Sequence, residues 1–279
     1  LGWQWNDTAP NNINNFGIAG KPESVDYSKP LTDAPVSHGF DWSYIIPASL
    51  DMSPYVYIQN KKVTKPIDKV VEGSPFPKFY RKGELGKDFS IIECLDHLSQ
   101  QAANYIRKNS SDAQPYFLYV PLPAPHKPVI PTDTFQGKSQ LGPYGDFIMQ
   151  VDAAIGRIIQ AVDDSGEADN TLVVVTSDNG SFMRRNDEPD FVGHVANETV
   201  QAYRGDKHTA NGPLRGTKAD VWEGGHRIPF LVRWPSTVKP GTRCDSTICL
   251  VDLLATCADV SGASYDQNQS EDTFSLLAN

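Results

Sequence analysis

Five side chains stand where their types and spacing could do chemistry: His126, Asp178, Asn179, His208 and Lys218. The run Thr171-Leu-Val-Val-Val-Thr-Ser-Asp-Asn-Gly180 is β-branched and apolar until it stops at Ser177-Asp178-Asn179-Gly180. It reads as a strand that delivers a carboxylate and an amide to its C-terminal tip, where open α/β sheets place their ligands. Hard oxygen donors of that kind suit Ca²⁺ or Mg²⁺. Asn-Gly after a strand is equally a hairpin signal. In Ala124-Pro-His-Lys-Pro128 the flanking prolines restrict the backbone around His126. An imidazole held there can donate to an anion or protonate a leaving group, or it is a surface histidine in a Pro-rich loop. The stretch from Gly212 to Pro229 is dense in glycine and charge. In it Lys218 can act as a point charge on a tetrahedral anion. Glu223 with Gly224-Gly225 can order a tight turn, and Arg227 can pair with a carboxylate. The alternative for each of these charges is a solvated loop. His208, ten residues before Lys218, either reaches substrate or is an exposed loop histidine.

These residues need elements to position them. Asp41–Ile46 and Tyr55–Ile58 read as short strands, and residues 64–87, with several Pro and Gly, read as loop. Helical spacing of Ile91, Ile92, Leu95, Leu98, Ala102, Tyr105 and Ile106 predicts a helix from a cap at Asp88 to about Lys108. Tyr116-Phe-Leu-Tyr-Val120 reads as a buried strand halted by prolines. A second amphipathic helix is predicted from Tyr144 to Asp163, with Ile148, Val151, Ile155, Ile158, Ile159 and Val162 on one face. The strand around Val173–Val175 follows, then a long polar excursion over 181–217. A strand over Ile228–Arg233 and a helix over Ile248–Val260 close the order. Helices alternating with apolar strands predict an α/β domain with a largely parallel central sheet flanked by helices.

At 279 residues the chain can bury a large core as one or two domains. Asp+Glu 34 against Lys+Arg 25 gives a net charge of −9, which argues against nucleic acid or an anionic membrane as the main partner. No apolar run reaches the 18 residues or so that a membrane-spanning helix needs. Cys94, Cys244, Cys249 and Cys257 follow no zinc-ligand spacing, and none sits in a nucleophile's context.

Taken together and in order, Ala-Pro-His126, Thr-Ser-Asp178-Asn179-Gly and Leu-Arg-Gly-Thr-Lys218 leading to Trp-Glu-Gly-Gly-His-Arg-Ile-Pro229 resemble the sulfatases of the alkaline-phosphatase superfamily. Gly39-Phe-Asp41 and Ser49-Leu-Asp-Met-Ser-Pro-Tyr-Val-Tyr57 look like arylsulfatase-type sequence as well. The resemblance covers essentially the whole chain. It implies an alkaline-phosphatase/sulfatase-like fold and hydrolysis of aryl or carbohydrate sulfate esters. Asp178 and Asn179 match ligands of a Ca²⁺, sometimes Mg²⁺. His126 and Lys218 match residues that bind the sulfate group, with His126 near the leaving oxygen. The partner implied is a sulfated small molecule or carbohydrate, in a periplasmic, secreted or lysosome-like compartment; oligomeric state stays open. A phosphoesterase or phosphonate hydrolase of the same superfamily, and a non-catalytic scaffold that kept the fold, are the competing readings.

The chain departs from the family's pattern in three places. The Cys/Ser-x-Pro-x-Arg motif that matures to formylglycine does not occur, nor do the earlier Asp-Asp metal pair and the Lys-x-His segment. Asp272-Thr-Phe-Ser-Leu-Leu277 looks like the family's exit from its main domain. The expectation is a partial catalytic domain over 1–279, split into an irregular 1–87 and an α/β portion over 88–279. Formylglycine would then come from an upstream segment, and these residues alone would be inactive and poorly stable. Trp3, Trp5 and Tyr203 are the aromatic candidates for the substrate mouth.

Overall fold

The computed structural model describes residues 25–75, 78–110, 114–182, 208–266, 268 and 270–278. Trp3, Trp5 and Tyr203 lie outside the described residues.

Strands β1 (Tyr44–Ile45), β2 (Ile58–Gln59) and β3 (Lys62–Val63) form an antiparallel three-stranded sheet in that order. Asn60 takes a positive φ of 56° in the β2–β3 turn, a conformation Asn tolerates better than most residues. Strands β4 (Ile67–Val71) and β5 (Gly83–Gly86) pair antiparallel across a register shift at Ile67/Lys69. They fall in the 64–87 stretch expected to be loop. Every β4 residue is at least partly exposed, so no alternating apolar pattern marks it in sequence.

Helix α1 (Cys94–Asn109) begins six residues after Asp88, which caps nothing; the residue before the helix is Glu93, without a side-chain cap. Helix α2 (Pro143–Asp164) has Pro143 in its first turn, where the missing N–H costs no helical hydrogen bond. The buried face of α2 runs through Phe147, Gln150, Ala154, Ala161 and Val162, whereas Ile148 is exposed. Of the expected face, Val162 is buried and Val151 and Ile158 pack against the core, so the face holds except at its Ile148 end. The small Ala102, Ala103, Ala154 and Ala161 are buried on the two helices, which pack against each other. Polar links reinforce the pair. Arg157 bonds Asp96 (3.0 Å) and Ser99, and the fully buried Gln150 donates to Asp96 Oδ2 (2.8 Å) while accepting from Thr132 N–H (3.0 Å).

Strand β6 (Val173–Thr176) pairs with β7 (Phe230–Arg233). Between them stands the short helical turn α3 (Glu223–His226), and α4 (Asp252–Ser261) ends at Gly262, left-handed at φ 69°. Cys249 precedes α4 rather than sitting on it, and all four cysteines are free thiols. Burial raises the Cys94 thiol to about 12, which keeps it inert.

The expected mixed α/β class holds. The expected parallel arrangement does not appear in the described ladders, which are all antiparallel. For β6 and β7 the reason is local. Gly180 N–H donates to Gly225 O (3.0 Å) and Thr176 Oγ1 donates to Pro229 O (2.9 Å), so the chain re-enters the sheet at the end where it left. A strand that re-enters there must run antiparallel. Tyr116–Val120 belongs to no described ladder, and Phe117 and Tyr119 are 64% and 68% exposed.

Candidate functional site

The tip of β6 is stitched to the segment that carries Lys218. Asn211 clamps Ser181 on both sides, accepting its N–H at Oδ1 (2.8 Å) and donating from Nδ2 to its carbonyl (2.9 Å). That carbonyl also accepts the Lys218 N–H (3.0 Å). Gly224 N–H donates to Arg215 O (2.7 Å), and Asp220 Oδ2 accepts the Thr217 N–H (2.8 Å). The glycines are required by proximity. A Cβ on Gly180 would overlap the Gly224 carbonyl, one on Gly224 the Gly216 carbonyl, and one on Gly225 the Asp220 carbonyl. Glu223 and Arg227 pair at 3.0 Å, the Arg215 guanidinium lies 3.7 Å over the Trp222 ring, and His226 donates to Val221 O (3.1 Å). The backbone of the dense 212–229 segment is thus a folded cradle, while the charged Arg215, Glu223 and Arg227 side chains stay exposed.

His126 enters from a different part of the sequence. Its loop carries cis peptides at Ala124-Pro125 and Lys127-Pro128. The Nδ1–H donates to the Lys127 carbonyl (2.8 Å), with Ser49 Oγ 3.3 Å away. Ser49 in turn donates to Asp51 Oδ1 (2.6 Å), and Arg81 Nη1 donates to Asp51 Oδ2 (2.7 Å). Burial lowers the His126 pKa below its ordinary value. The Lys127 carbonyl and Asp51 oppose the shift, and the Lys218 and Lys127 ammonium groups add to it. The loop around His126 packs toward the cradle, since Leu122, Ala124 and Val129 share a hydrophobic cluster with Phe182 and Ala210.

Asp178 is exposed at the tip of β6 and Asn179 is half-buried, with Ser177 Oγ donating to the Asn179 carbonyl (3.0 Å). Ca²⁺ takes about six to eight oxygen ligands. Among the described residues no three His, Cys, Asp or Glu side chains gather to hold a metal ion. Asp178 and Asn179 have the right chemistry but present only part of such a donor set.

His208 lines a groove of about 490 Å³ with Lys138, Leu141, Tyr144, Ile148 and Met149. That groove shares a wall with the cradle, because Tyr144 OH meets Ser181 Oγ at 3.0 Å.

Sequence reasoning gave no role to Ser49, Asp51, Arg81, Asn211 or Tyr144. Each works by a contact distant in sequence, so spacing held no signal for it. Ser49 and Asp51 stood within an arylsulfatase-like stretch, which was the only pointer to them.

Comparison with known proteins gives these residues a family. The Sulfatase family model matches residues 19–263. An N-acetylgalactosamine-6-O-sulfatase of Bacteroides thetaiotaomicron is 29% identical over 273 residues, covering 86% of this chain and 51% of that protein. Human steryl-sulfatase is 32% identical over 199 residues, covering 68% and 31%. A solved structure from work on glycosaminoglycan metabolism by Bacteroides thetaiotaomicron superposes with a TM-score of 0.74 at 28% identity, covering 90% of this chain and 57% of the other. The chain spans about half the length of that first relative and of the solved structure, and about a third of the steryl-sulfatase. With the family model matched across most of the chain and the strand-tip, His126 and Lys218 segments folded together, the chain belongs to the sulfatase family.

Proposed function

We propose that the full-length protein hydrolyses sulfate esters, of a carbohydrate or an aryl alcohol, and that His126 and Lys218 bind the sulfate group. The observation that supports this is the packing of their segments: Leu122, Ala124 and Val129 around His126 share one hydrophobic cluster with Phe182 and Ala210, which flank the strand tip and the Lys218 segment. As a sulfate ester breaks, charge builds on the bridging oxygen and on the sulfuryl oxygens. Lys218 supplies a point charge to the sulfuryl oxygens. With Nδ1–H committed to the Lys127 carbonyl, His126 has Nε2 to offer the bridging oxygen. Lys218 disfavours the imidazolium in the free protein. A bound sulfate offsets that repulsion, so substrate favours protonation of the group that must protonate the leaving oxygen, and the lowered pKa makes it a stronger acid.

In this reading Asp178 and Asn179 supply two oxygens to a Ca²⁺ or Mg²⁺, whose positive charge would further stabilise the sulfuryl oxygens. His208 belongs to the adjoining groove and contacts the remainder of the substrate. A formylglycine would serve as nucleophile. No Cys/Ser-x-Pro-x-Arg occurs in these 279 residues, so they are expected to be inactive as an isolated partial catalytic domain. The compartment proposed is periplasmic, secreted or lysosome-like. Among the described residues no helix is long and apolar enough to cross a membrane.

The test is turnover of an aryl sulfate and of a 6-sulfated amino sugar by the full-length gene product, with and without chelator. His126→Ala and Lys218→Ala should each lower kcat/KM by about 10²- to 10⁴-fold, the usual scale for a general acid, and chelation should abolish turnover. Absence of turnover on any sulfate ester, or full activity in both variants, would overturn the assignment.

A further inference from the structure

We propose that Asp51 is a positioning residue for His126: held by Arg81, it orients the Ser49 hydroxyl so that Ser49 accepts from His126 Nδ1 and locks the imidazole in one tautomer. The proposal rests on the role of His126 given above.

The direction of each hydrogen bond follows from chemistry. A carbonyl only accepts, so the 2.8 Å contact to Lys127 O requires a proton on His126 Nδ1. A serine hydroxyl has one proton, and the 2.6 Å contact to the Asp51 carboxylate claims it. The Ser49 oxygen therefore faces His126 Nδ1 with lone pairs only, at 3.3 Å. Two acceptors at one ring nitrogen fix Nδ1–H and leave the opposite nitrogen for substrate.

Asp51 is built to hold this arrangement. It is 2% exposed, an unusual place for a carboxylate without partners. Its Oδ2 accepts from Arg81 Nη1 (2.7 Å), and its backbone carbonyl accepts from Arg81 N–H (3.1 Å) and from Arg81 Nη1 (3.3 Å). Tyr55 OH donates to Arg81 O (2.7 Å), which fixes the Arg81 backbone beside Asp51. On the far side, Phe79 stands between two cations, with Arg81 Cζ 5.3 Å and Lys127 Nζ 5.2 Å from its ring centre. The 79–81 segment that holds Asp51 thus also contacts the side chain of Lys127, whose carbonyl accepts from His126. The charged groups acting on the ring are Asp51, which favours its protonated form, and Lys218 and Lys127, which disfavour it.

Asp51→Asn tests this without changing shape. Arg81 demands an acceptor, so the Asn oxygen turns to Arg81 and its NH₂ turns to Ser49. The Ser49 proton is then pushed toward His126 Nδ1, in competition with the Lys127 carbonyl. In the full-length protein, imidazole ¹⁵N NMR at neutral pH should show His126 as the Nδ1–H tautomer. Asp51→Asn should raise the Nε2–H population and lower kcat by about 10- to 100-fold with little change in KM. Ser49→Ala should act in the same direction, and Ser49→Thr, which restores the hydroxyl, should recover most of the rate. If Asp51→Asn does not fold, the Ser49 pair decides. An unaltered tautomer in Asp51→Asn and Ser49→Ala would overturn the proposal even if turnover fell. A shifted tautomer in a protein that turns over no sulfate ester would support the positioning role and sink the sulfatase reading instead.

Discussion

At the scale of single residues the chain shows how a charge can be prepared without being displayed. His126 is kept neutral by burial first, with Lys218 adding to that effect. Its pKa is lower in the folded protein than in the unfolded chain, where it is about 6.5. As pH falls below that value the unfolded state takes up the proton first, so folding stability falls with pH until the folded imidazole also titrates. The expected result is that denaturant midpoints drop as pH falls below about 6.5, and that His126→Gln flattens this dependence. Identical slopes in both proteins would show that His126 does not titrate differently on folding. Lys218 and Asp178 were legible as candidates because charge beside glycine, next to an apolar run, is unusual in a packed domain. The cause of His126's behaviour was not legible, since Lys127 is its only sequence neighbour among the groups that tune it.

Among the elements, the β6 tip and the cradle are held by backbone, and that makes them intolerant of added atoms. Gly180→Ala would force a Cβ into the Gly224 carbonyl, which has no side-chain freedom to yield. Its expected cost is about 1–3 kcal/mol or more, with loss of whatever activity depends on Lys218. Gly156→Ala on α2 meets nothing nearby and should be neutral or stabilising, by up to about 1 kcal/mol. Equal midpoints for the two variants in urea would contradict the close-approach argument. The loop before α2 depends instead on a carboxylate. Asp146 accepts the N–H groups of Gly137 and Ser139, each at 2.7 Å, with 4% of the residue exposed. Burial alone would raise its pKa, but these donors hold it below the ordinary carboxylate value. Its contribution is therefore present above the unfolded-state pKa and lost as pH falls through the folded one. Asp146→Ala should destabilise by about 1.5–3 kcal/mol at neutral pH and by less in acid.

For the molecule as a whole, many large apolar side chains are exposed: Phe117 and Tyr119 after the α1 helix, Leu231 and Val232 on β7, and Val251 and Leu254 at or near α4. Large apolar side chains exposed in this number favour association with a partner or aggregation. The 279 residues expressed alone are therefore expected to bind a hydrophobic dye in the folded state and to precipitate at moderate concentration. Phe117→Ser with Leu231→Ser should reduce both. A monodisperse chain with no dye binding would show that these residues cover one another in solution.

Sequence by itself determined the chemistry on offer and the two long helices. A carboxylate and amide at a strand end, an imidazole among prolines and a lysine among glycines are properties of short segments, and helical periodicity is local as well. Tertiary structure decided the rest. The direction of β7 depends on where the chain re-enters the sheet, through Gly180 and Gly225. The buried face of α2 runs through Phe147, Ala154, Ala161 and Val162, with the small residues admitting α1, while Ile148 is left exposed. The state of His126 depends on Ser49, Asp51, Arg81 and Lys218, which reach it only after folding. Hydrogen bonds and electrostatic shifts fall off over a few ångströms in space, and spacing along the chain carries no measure of that distance.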